Sequence, residues 1–478
     1  MQRMPVPVIS VAQMREWEKV TWASGQSEEA VMRRAGDAVA RQAERMTKRG
    51  ERIIVLAGKG HNGDDARFAA EGTRERKVEV VRVLDPESVA AEIPKLVATN
   101  PALFIDGLFG IGLNRPMARP WIGLIQRINA TNIPVLAVDV PSGLNADSGE
   151  PLEEAVRAKV TLTLGAVKQG FMKPAAWPFV GKLEVASDIG LVAYPFETEV
   201  SMMVAEDFSG FPPPRPVGGH KGTFGHLAII AGSAGYHGAA VLAARGAQRA
   251  QPGLITLITS EEVYVPVAQQ LQSVMVRAWK DADPGPDGSG SLPDSCTAVL
   301  AGPGLAAANV PAKVRETVQR FWKESKLAVI IDASALAWLQ PGPTADALRV
   351  ITPHPGEAAR MLGVTNSEVQ ADRVNALREL SRRFGNCHVV LKGHQTMVGR
   401  DREEIAVNST GNPHLAQGGS GDLLAGFLAG LVAQPELQRD ARTLRYAVWQ
   451  HGLAADSLHE RKPNWTVEEL ADVLGEKA

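Results

Sequence analysis

What most constrains this chain is a recurring pattern: a short run of Val, Ile and Leu that stops abruptly at Gly, Asp, Pro or Asn. In the first part the runs are IIVLAG (53–58), VEVVRVL (78–84), ALFIDG (102–107), PVLAVDVPSG (134–143) and KVTLTLG (159–165). In the second part they fall at 226–233, 254–260, 298–304, 327–334, 350–357 and 388–394. Stretches with helical spacing lie between them, such as 65–71, 121–129, 238–250 and 369–384. Apolar runs alternating with helices predict α/β architecture, with parallel sheets buried on both faces. In such folds ligands bind beyond the carboxyl ends of the strands. The glycines and acids of this sequence fall there.

The β/α pattern breaks once, at 208–222, where FSGFPPPRPVGGHKG packs prolines and glycines with almost no apolar periodicity. Three consecutive prolines make a stiff, extended connector. The expected organisation is therefore two domains, 1–207 and 223–478, joined by 208–222, in keeping with 478 residues at ~150 per domain. The formal net charge of −2 and an aromatic share of 5% give no basis for nucleic acid or an acidic membrane surface as partner. Cys296 and Cys387 are too few and too far apart for a disulfide framework, which points to a reducing, cytoplasmic compartment. The opening MQRMPVPVISVAQMREWE lacks the apolar core of a secretory signal. The longest apolar run, 423–433, is far short of the ~20 residues of a membrane-spanning helix. Glycine is in excess, with 46 residues, and its placement carries the functional reading.

Gly58-Lys-Gly-His-Asn-Gly-Asp-Asp65 follows the first apolar run and precedes a helical run over 66–72. Glycines let a backbone approach a ligand closely, and a helix N-terminus offers unpaired N–H groups to an anion. Asp106 and Asp139 each end a later apolar run on the same sheet edge. Asn62, Asp106 and Ser142 can converge there as oxygen ligands for a hard cation. Asp139 remains as a candidate acid/base group.

These motifs give residues 1–205 a resemblance to the NAD(P)H-hydrate epimerase domain of bacterial bifunctional NAD(P)H-hydrate repair enzymes. Ala12–Glu18, Gly25-x-Ser27, Val31–Gly36, the loop 58–65, 106–116, 139–144 and 161–170 with Lys168 match in order and spacing. The resemblance implies a Rossmann-like three-layer sandwich and a potassium ion at Asn62, Asp106 and Ser142. It also implies hydrate contacts from His61, Asn62, Gly63, Asp64 and Asp65, from Gly110, Ile111, Gly112, Leu113, Asn114, Arg115 and Pro116, and from Asp139. The family loop usually reads G-x-G-N-N-G-G-D-G, whereas His61, Asp64 and Ala66 stand here for Asn, Gly and Gly. An added carboxylate at 64 is expected to repel a substrate pyrophosphate. A side chain there is strained if the backbone needs positive φ. With Asn62, Asp106, Asp139 and Ser142 retained, R/S interconversion is the expectation and an impaired epimerase the alternative.

The second constellation is the run from Asn408 to Asp422, NSTGNPHLAQGGSGD, leading into an apolar helix. Gly418, Gly419, Ser420 and Gly421 offer bare amides as an anion cradle. A carboxylate beside bound phosphate is electrostatically awkward unless it serves the chemistry, which makes Asp422 a candidate base. No G-x-x-x-x-G-K-[ST] run occurs, so a P-loop is excluded. The further strand-end motifs are 232–239, Gly302-Pro-Gly304, Asp332-Ala-Ser-Ala, Thr352-Pro-His-Pro-Gly-Glu357 and Lys392-Gly-His-Gln-Thr396.

On these motifs residues 215–475 resemble the NAD(P)H-hydrate dehydratase domain, a three-layer α/β member of the ribokinase superfamily. The resemblance places ADP against Lys392, Gly393, His394, Gln395 and Thr396. It continues the ADP site through Asn412, Pro413, His414, Leu415, Ala416, Gln417, Gly418, Gly419, Ser420 and Gly421. The hydrated nicotinamide is placed near Gly304, His354, Pro355, Gly356, Glu357 and Asp422. ADP is then the phosphoryl donor and a magnesium ion is compatible with the chemistry, although the sequence shows no dedicated cage. Ser334 stands where the family often has Asp. Small-molecule substrates and a homo-oligomer are the expected partners. Two other readings compete: a vitamin or sugar kinase with an N-terminal nucleotide-binding module, and a non-catalytic binding protein.

Overall fold

The computed structural model describes residues 5–279 and 292–476, which form two compact units, Met1–Met202 and Met203–Ala478. The first is built on β1 (Arg52–Ala57), β2 (Lys77–Arg82), β3 (Leu103–Gly107), β4 (Val135–Val138), β5 (Val160–Leu164) and β6 (Lys182–Ala186). These strands are all parallel, in the order β2-β1-β3-β4-β5-β6. Its helices include α1 (Val11–Ala23), α2 (Glu28–Met46), α3 (His61–Gly72), α4 (Pro86–Ala98) and α5 (Arg119–Asn129).

Side chains alternate across a strand, so one apolar run feeds two cores. Ile53 and Val55 join Val39 and Ala43 of α2 and Ala66 of α3. Ile54 and Leu56 join Ile93 of α4 and Ile125 of α5 on the opposite face. The result is a three-layer sandwich. The chain leaves β1 for β2 on one side and returns to β3 on the other. The loops after β1 and β3 therefore part at a topological switch point, where a crevice opens.

In the second unit the described strands are β7 (His226–Ile230), β8 (Leu254–Thr259), β9 (Met275–Ala278), β10 (Ala298–Ala301), β11 (Ala328–Ile331), β12 (Arg349–Ile351), β13 (His388–Leu391), β14 (Met397–Gly399) and β15 (Ile405–Val407). Their order is β9-β8-β7-β10-β11-β12-β13-β14-β15. Pairing is parallel through β13 and antiparallel over the last two. The helices that matter for the site are α6 (His237–Ala250), α7 (Pro355–Leu362), α8 (Ser420–Val432) and α9 (Arg442–Arg461).

Helices α6 and α8 touch backbone to backbone. A Cβ at Gly426 would lie 1.8 Å from the Ala243 carbonyl oxygen, and one at Gly246 would lie 2.1 Å from that of Leu423. Glycine alone permits this approach, and it fixes where the N-terminus of α8 emerges.

Two expectations need correction. The helical stretch 369–384 is two helices, Asn366–Ala371 and Arg373–Arg383, because Asp372 turns aside to cap the second by accepting from the Asn375 amide at 3.1 Å. The second unit begins at Met203, ahead of the stretch read as a connector. Phe208 and Phe211 within that stretch are buried in its core, with their rings 5.6 and 5.1 Å from Tyr446. Among the described residues no helix is long and apolar enough to cross a membrane.

Gly426→Ala puts a methyl where a carbonyl already sits, and should cost the second unit about 1–3 kcal/mol in chemical denaturation. Gly218→Ala, in open space, should change it by under about 0.5 kcal/mol.

Candidate active sites

Helix α3 starts at His61 with Gly60 as its cap, five residues earlier than the apolar pattern indicates. The cause is tertiary. A Cβ at Gly63 would lie 2.2 Å from the Gly58 carbonyl oxygen, and one at Gly58 would lie 2.1 Å from that of Leu108. Only bare backbone can turn from β1 into a helix beneath the loop that follows β3. Asp64 is therefore helical and free of left-handed strain. Its carboxylate pairs with Arg67 one turn on, which balances the added charge locally.

Near the end of β3 the Asp106 carboxylate is wholly buried. It accepts from the Ser142 hydroxyl at 2.6 Å, the Ser142 amide at 2.9 Å and the Leu108 amide at 3.2 Å. Burial pushes its pKa up to about 6 against those hydrogen bonds. The Asn62 amide nitrogen donates to the Phe109 carbonyl at 2.8 Å, while the Phe109 amide donates to the Ser142 hydroxyl at 2.9 Å. Asn62, Asp106 and Ser142 thus meet around Phe109. The set offers oxygen donors and one carboxylate, a composition that fits a hard cation.

Asp139 sits one strand over with a left-handed φ of +63°, a costly conformation for a non-glycine residue. Its Oδ1 accepts from the Lys168 ammonium, from the Thr163 hydroxyl at 3.1 Å and from the Leu164 amide at 2.9 Å. Lys168 is fully buried and also donates to the carbonyls of Leu164 and Ala166.

A pocket of about 660 Å³ opens here, lined by Glu18, Asn62, Asp65, Arg115 and Asp139 together with apolar Met14, Trp22, Val31 and Leu191. His61, Gly110, Ile111, Gly112 and Leu113 also face it, whereas Gly63, Asp64, Asn114 and Pro116 do not. Gly63 serves packing, and Asp64 pairs with Arg67. Asp65 has one buried carboxylate oxygen without a partner. Burial, reinforced by the Asp139, Asp64 and Glu18 carboxylates, raises its pKa to about 8. Glu18 is raised as well, mainly by burial and then by Asp139. It lies in the matched Ala12–Glu18 stretch, where nothing in the sequence marked it as a pocket group.

In the second unit α8 begins at Ser420 behind Gly419, whose φ of +94° and closeness to Leu242 exclude a side chain. Asp422 lies in the first turn. At the end of β13, Lys392 places its ammonium 2.7 Å from Asp332 Oδ1, and a Cβ at Gly421 would stand 3.4 Å from that nitrogen. Burial works against the Lys392 charge, but Asp332, Glu357 and Asp422 outweigh it and hold its pKa above the ordinary lysine value. Burial, then Asp332, pushes Asp422 up to about 7, with Lys392 opposing.

His354 caps α7, its Nδ1 accepting from the Gly356 amide at 3.0 Å while Glu357 accepts from the His354 amide at 2.8 Å. Pro355 approaches Gly393. Gly304 packs on the Tyr236 carbonyl and receives the Ser233 hydroxyl on its own carbonyl at 2.6 Å.

Three residues outside the motifs organise the expected ADP site. Arg373 is buried, with its pKa lowered to about 10 by burial, and donates to the carbonyls of Leu391, Lys392 and His394. This shapes the turn through Gly393, His394 and Gln395 to Thr396. Asp456 of α9 accepts from the Gly411 amide and the Asn412 side chain, both at 2.9 Å. His459 stacks on His414 at 4.2 Å. Gln417 donates to the His414 carbonyl at 2.7 Å, closing the segment through Pro413, Leu415 and Ala416 toward Gly418. A separate cavity of about 670 Å³, lined by Arg215, Phe224, Leu431 and Tyr446 among others, holds none of the expected residues.

The two units define a class: enzymes that couple a Rossmann-like unit to a ribokinase-like one, each with polar groups gathered at strand ends. Comparison with known proteins agrees. Residues 227–475 match the family described as NAD(P)H-hydrate dehydratase, and 28–95 and 82–170 match that described as YjeF-related protein N-terminus. The bifunctional NAD(P)H-hydrate repair enzyme of Coxiella burnetii is 34% identical over 94% of both chains. That of Gloeobacter violaceus is 35% identical over 95% of this chain and 94% of its own. An ADP/ATP-dependent NAD(P)H-hydrate dehydratase from Bacillus subtilis, co-crystallised with ATP/Mg2+, superposes with a TM-score of 0.50 at 31% identity, covering 56% of this chain and 94% of its own. The chain belongs to the family of bifunctional NAD(P)H-hydrate repair enzymes.

Lys168→Met leaves Asp139 buried without its cation and should destabilise the first unit by about 3–5 kcal/mol. Asp64→Ala removes only a helix-surface pair and should shift the same unfolding transition by less than about 1 kcal/mol.

Proposed function

We propose that the unit Met1–Met202 interconverts the R and S forms of hydrated NADH or NADPH, and that Met203–Ala478 dehydrates the S form using ADP. The observation that carries this reading is Asp422, a half-buried carboxylate whose pKa is pushed up to about 7, placed in the first turn of a glycine-capped helix beside the Lys392 ammonium. A base poised at working pH next to an anion cradle suits deprotonation of a hydroxyl that attacks phosphorus.

In the dehydratase, Asp422 takes the proton of the C6 hydroxyl as its oxygen attacks the β-phosphorus of ADP. The bond to AMP breaks, and the amides of Gly418, Gly419, Ser420 and Gly421 with Lys392 stabilise the charge on the transferred group. The ring-nitrogen lone pair then expels phosphate from C6, and loss of the C5 proton restores the dihydropyridine. Magnesium would enter with the donor phosphates and neutralise their charge. Among the described residues no cluster of three or more His, Cys, Asp or Glu forms a cage for it.

In the epimerase, Asp139, fixed on Oδ1 by Lys168 and Thr163, takes the C6 hydroxyl proton as the ring opens and returns it on closure. Asp65, with a pKa of about 8, carries a proton at neutral pH and serves as the matching acid. Asn62, Asp106 and Ser142 would hold potassium, which supplies the positive charge that a buried carboxylate lacks. We also place the enzyme in the cytoplasm as a homo-oligomer. Its two buried free thiols, Cys296 and Cys387, agree with a reducing compartment, and light scattering gives the assembly state.

With S hydrate and ADP, Asp422→Ala should lose about 10²–10⁴-fold in rate, the usual worth of a general base. Wild-type dehydration should fall as pH drops below about 7, because the base must be ionised. Asp139→Asn should reduce R/S exchange, measured by chromatography, to its uncatalysed rate and leave S dehydration intact. Exchange should also weaken above about pH 8, where Asp65 loses its proton.

A further inference from the structure

Asp332 ends β11 and is 1% exposed. Its Oδ1 accepts from the Thr352 hydroxyl at 2.6 Å and from Lys392 at 2.7 Å. Its backbone is locked as well: a Cβ at Gly302 would lie 1.7 Å from the Asp332 carbonyl oxygen, and Ala333 turns away with a left-handed φ of +49°. The carboxylate is thus a rigid anchor joining the ends of β11, β12 and β13. A lysine side chain is long and flexible, and it takes one position only when something fixes it.

Of the charged groups facing Asp422 among the described residues, Asp332 on β11 and Glu357 on α7 are carboxylates and Lys392 on β13 is the cation. One ammonium thus stands among three carboxylates, and which of them it pairs with decides the chemistry. Paired with Asp422, it would quench the base. Paired with Asp332, it stays beside Gly421 at the cradle.

We propose that Asp332 is a positioning residue of the dehydration site, holding the Lys392 ammonium at the glycine cradle and away from Asp422. This rests on the reading of Asp422 as base.

The test is Asp332→Asn in the full-length enzyme, assayed with S hydrate and ADP over pH from about 5 to 9. Lys392 is then released toward Asp422 and one negative charge is lost. Both changes favour the ionised base, so the acid limb of kcat/KM moves to lower pH, while kcat falls by as much as about a hundredfold because the ammonium leaves the cradle. Calorimetry with ADP confirms that the variant still binds nucleotide. An acid limb that stays at the wild-type position overturns the proposal, and so does one that moves while kcat keeps its wild-type value, since loss of the Asp332 charge alone shifts the limb without displacing the ammonium. Asp332→Ser, also neutral, has the same outcomes and serves if the first variant does not fold. Asp422→Ala in the same assay separates the two claims: if it still dehydrates, the base assignment fails, whatever Asp332 does.

Discussion

Close backbone contact at positions without a Cβ is the constraint on which both sites depend. The loop after β1 reaches the loop after β3 because Gly58 and Gly63 leave room, and α8 seats against α6 because Gly246 and Gly426 do. Neither contact makes a strong bond. Each decides where a helix N-terminus emerges, and so where its unpaired amides and nearby carboxylates point. A methyl at any of these positions would move the site before it touched a ligand.

The two units solve one electrostatic problem differently. Each gathers more carboxylates than cations in a site that must accept an anionic nucleotide. In the first, Lys168 commits to Asp139, and Asp65 absorbs the remaining repulsion by holding a proton. In the second, Lys392 commits to Asp332 and leaves Asp422 near the midpoint of its titration. Groups of one chemical type are thereby pushed toward different protonation states by their surroundings, which is how acid and base roles are separated near neutral pH.

Much of this was legible in the sequence wherever function sits at the end of an apolar run. Asp106, Asp139 and Lys392 could be placed on sheet edges because buried parallel strands announce themselves, and the Gly418–Asp422 run at a helix N-terminus because an apolar helix follows it. The start of α3 was not legible, because a contact with Leu108 fixes it and no local periodicity does. That shift moved Asp64 onto a helix surface and removed the strain its substitution suggested. Arg373, Asp456 and His459 were missed for a related reason. They project from helices remote in sequence, and only folding brings them to the strand ends. Asp372 ended one helix and began another because its side chain bonds the backbone, which outweighs continuous helical spacing.

The central claim is that one chain carries both half-reactions. The most direct measurement supplies pure R hydrate with excess ADP and follows recovery of the reduced nicotinamide together with AMP. Full recovery is expected, well above the uncatalysed rate of R-to-S conversion, with one AMP formed per dinucleotide restored. Recovery no faster than spontaneous epimerisation, or recovery without AMP, would contradict it.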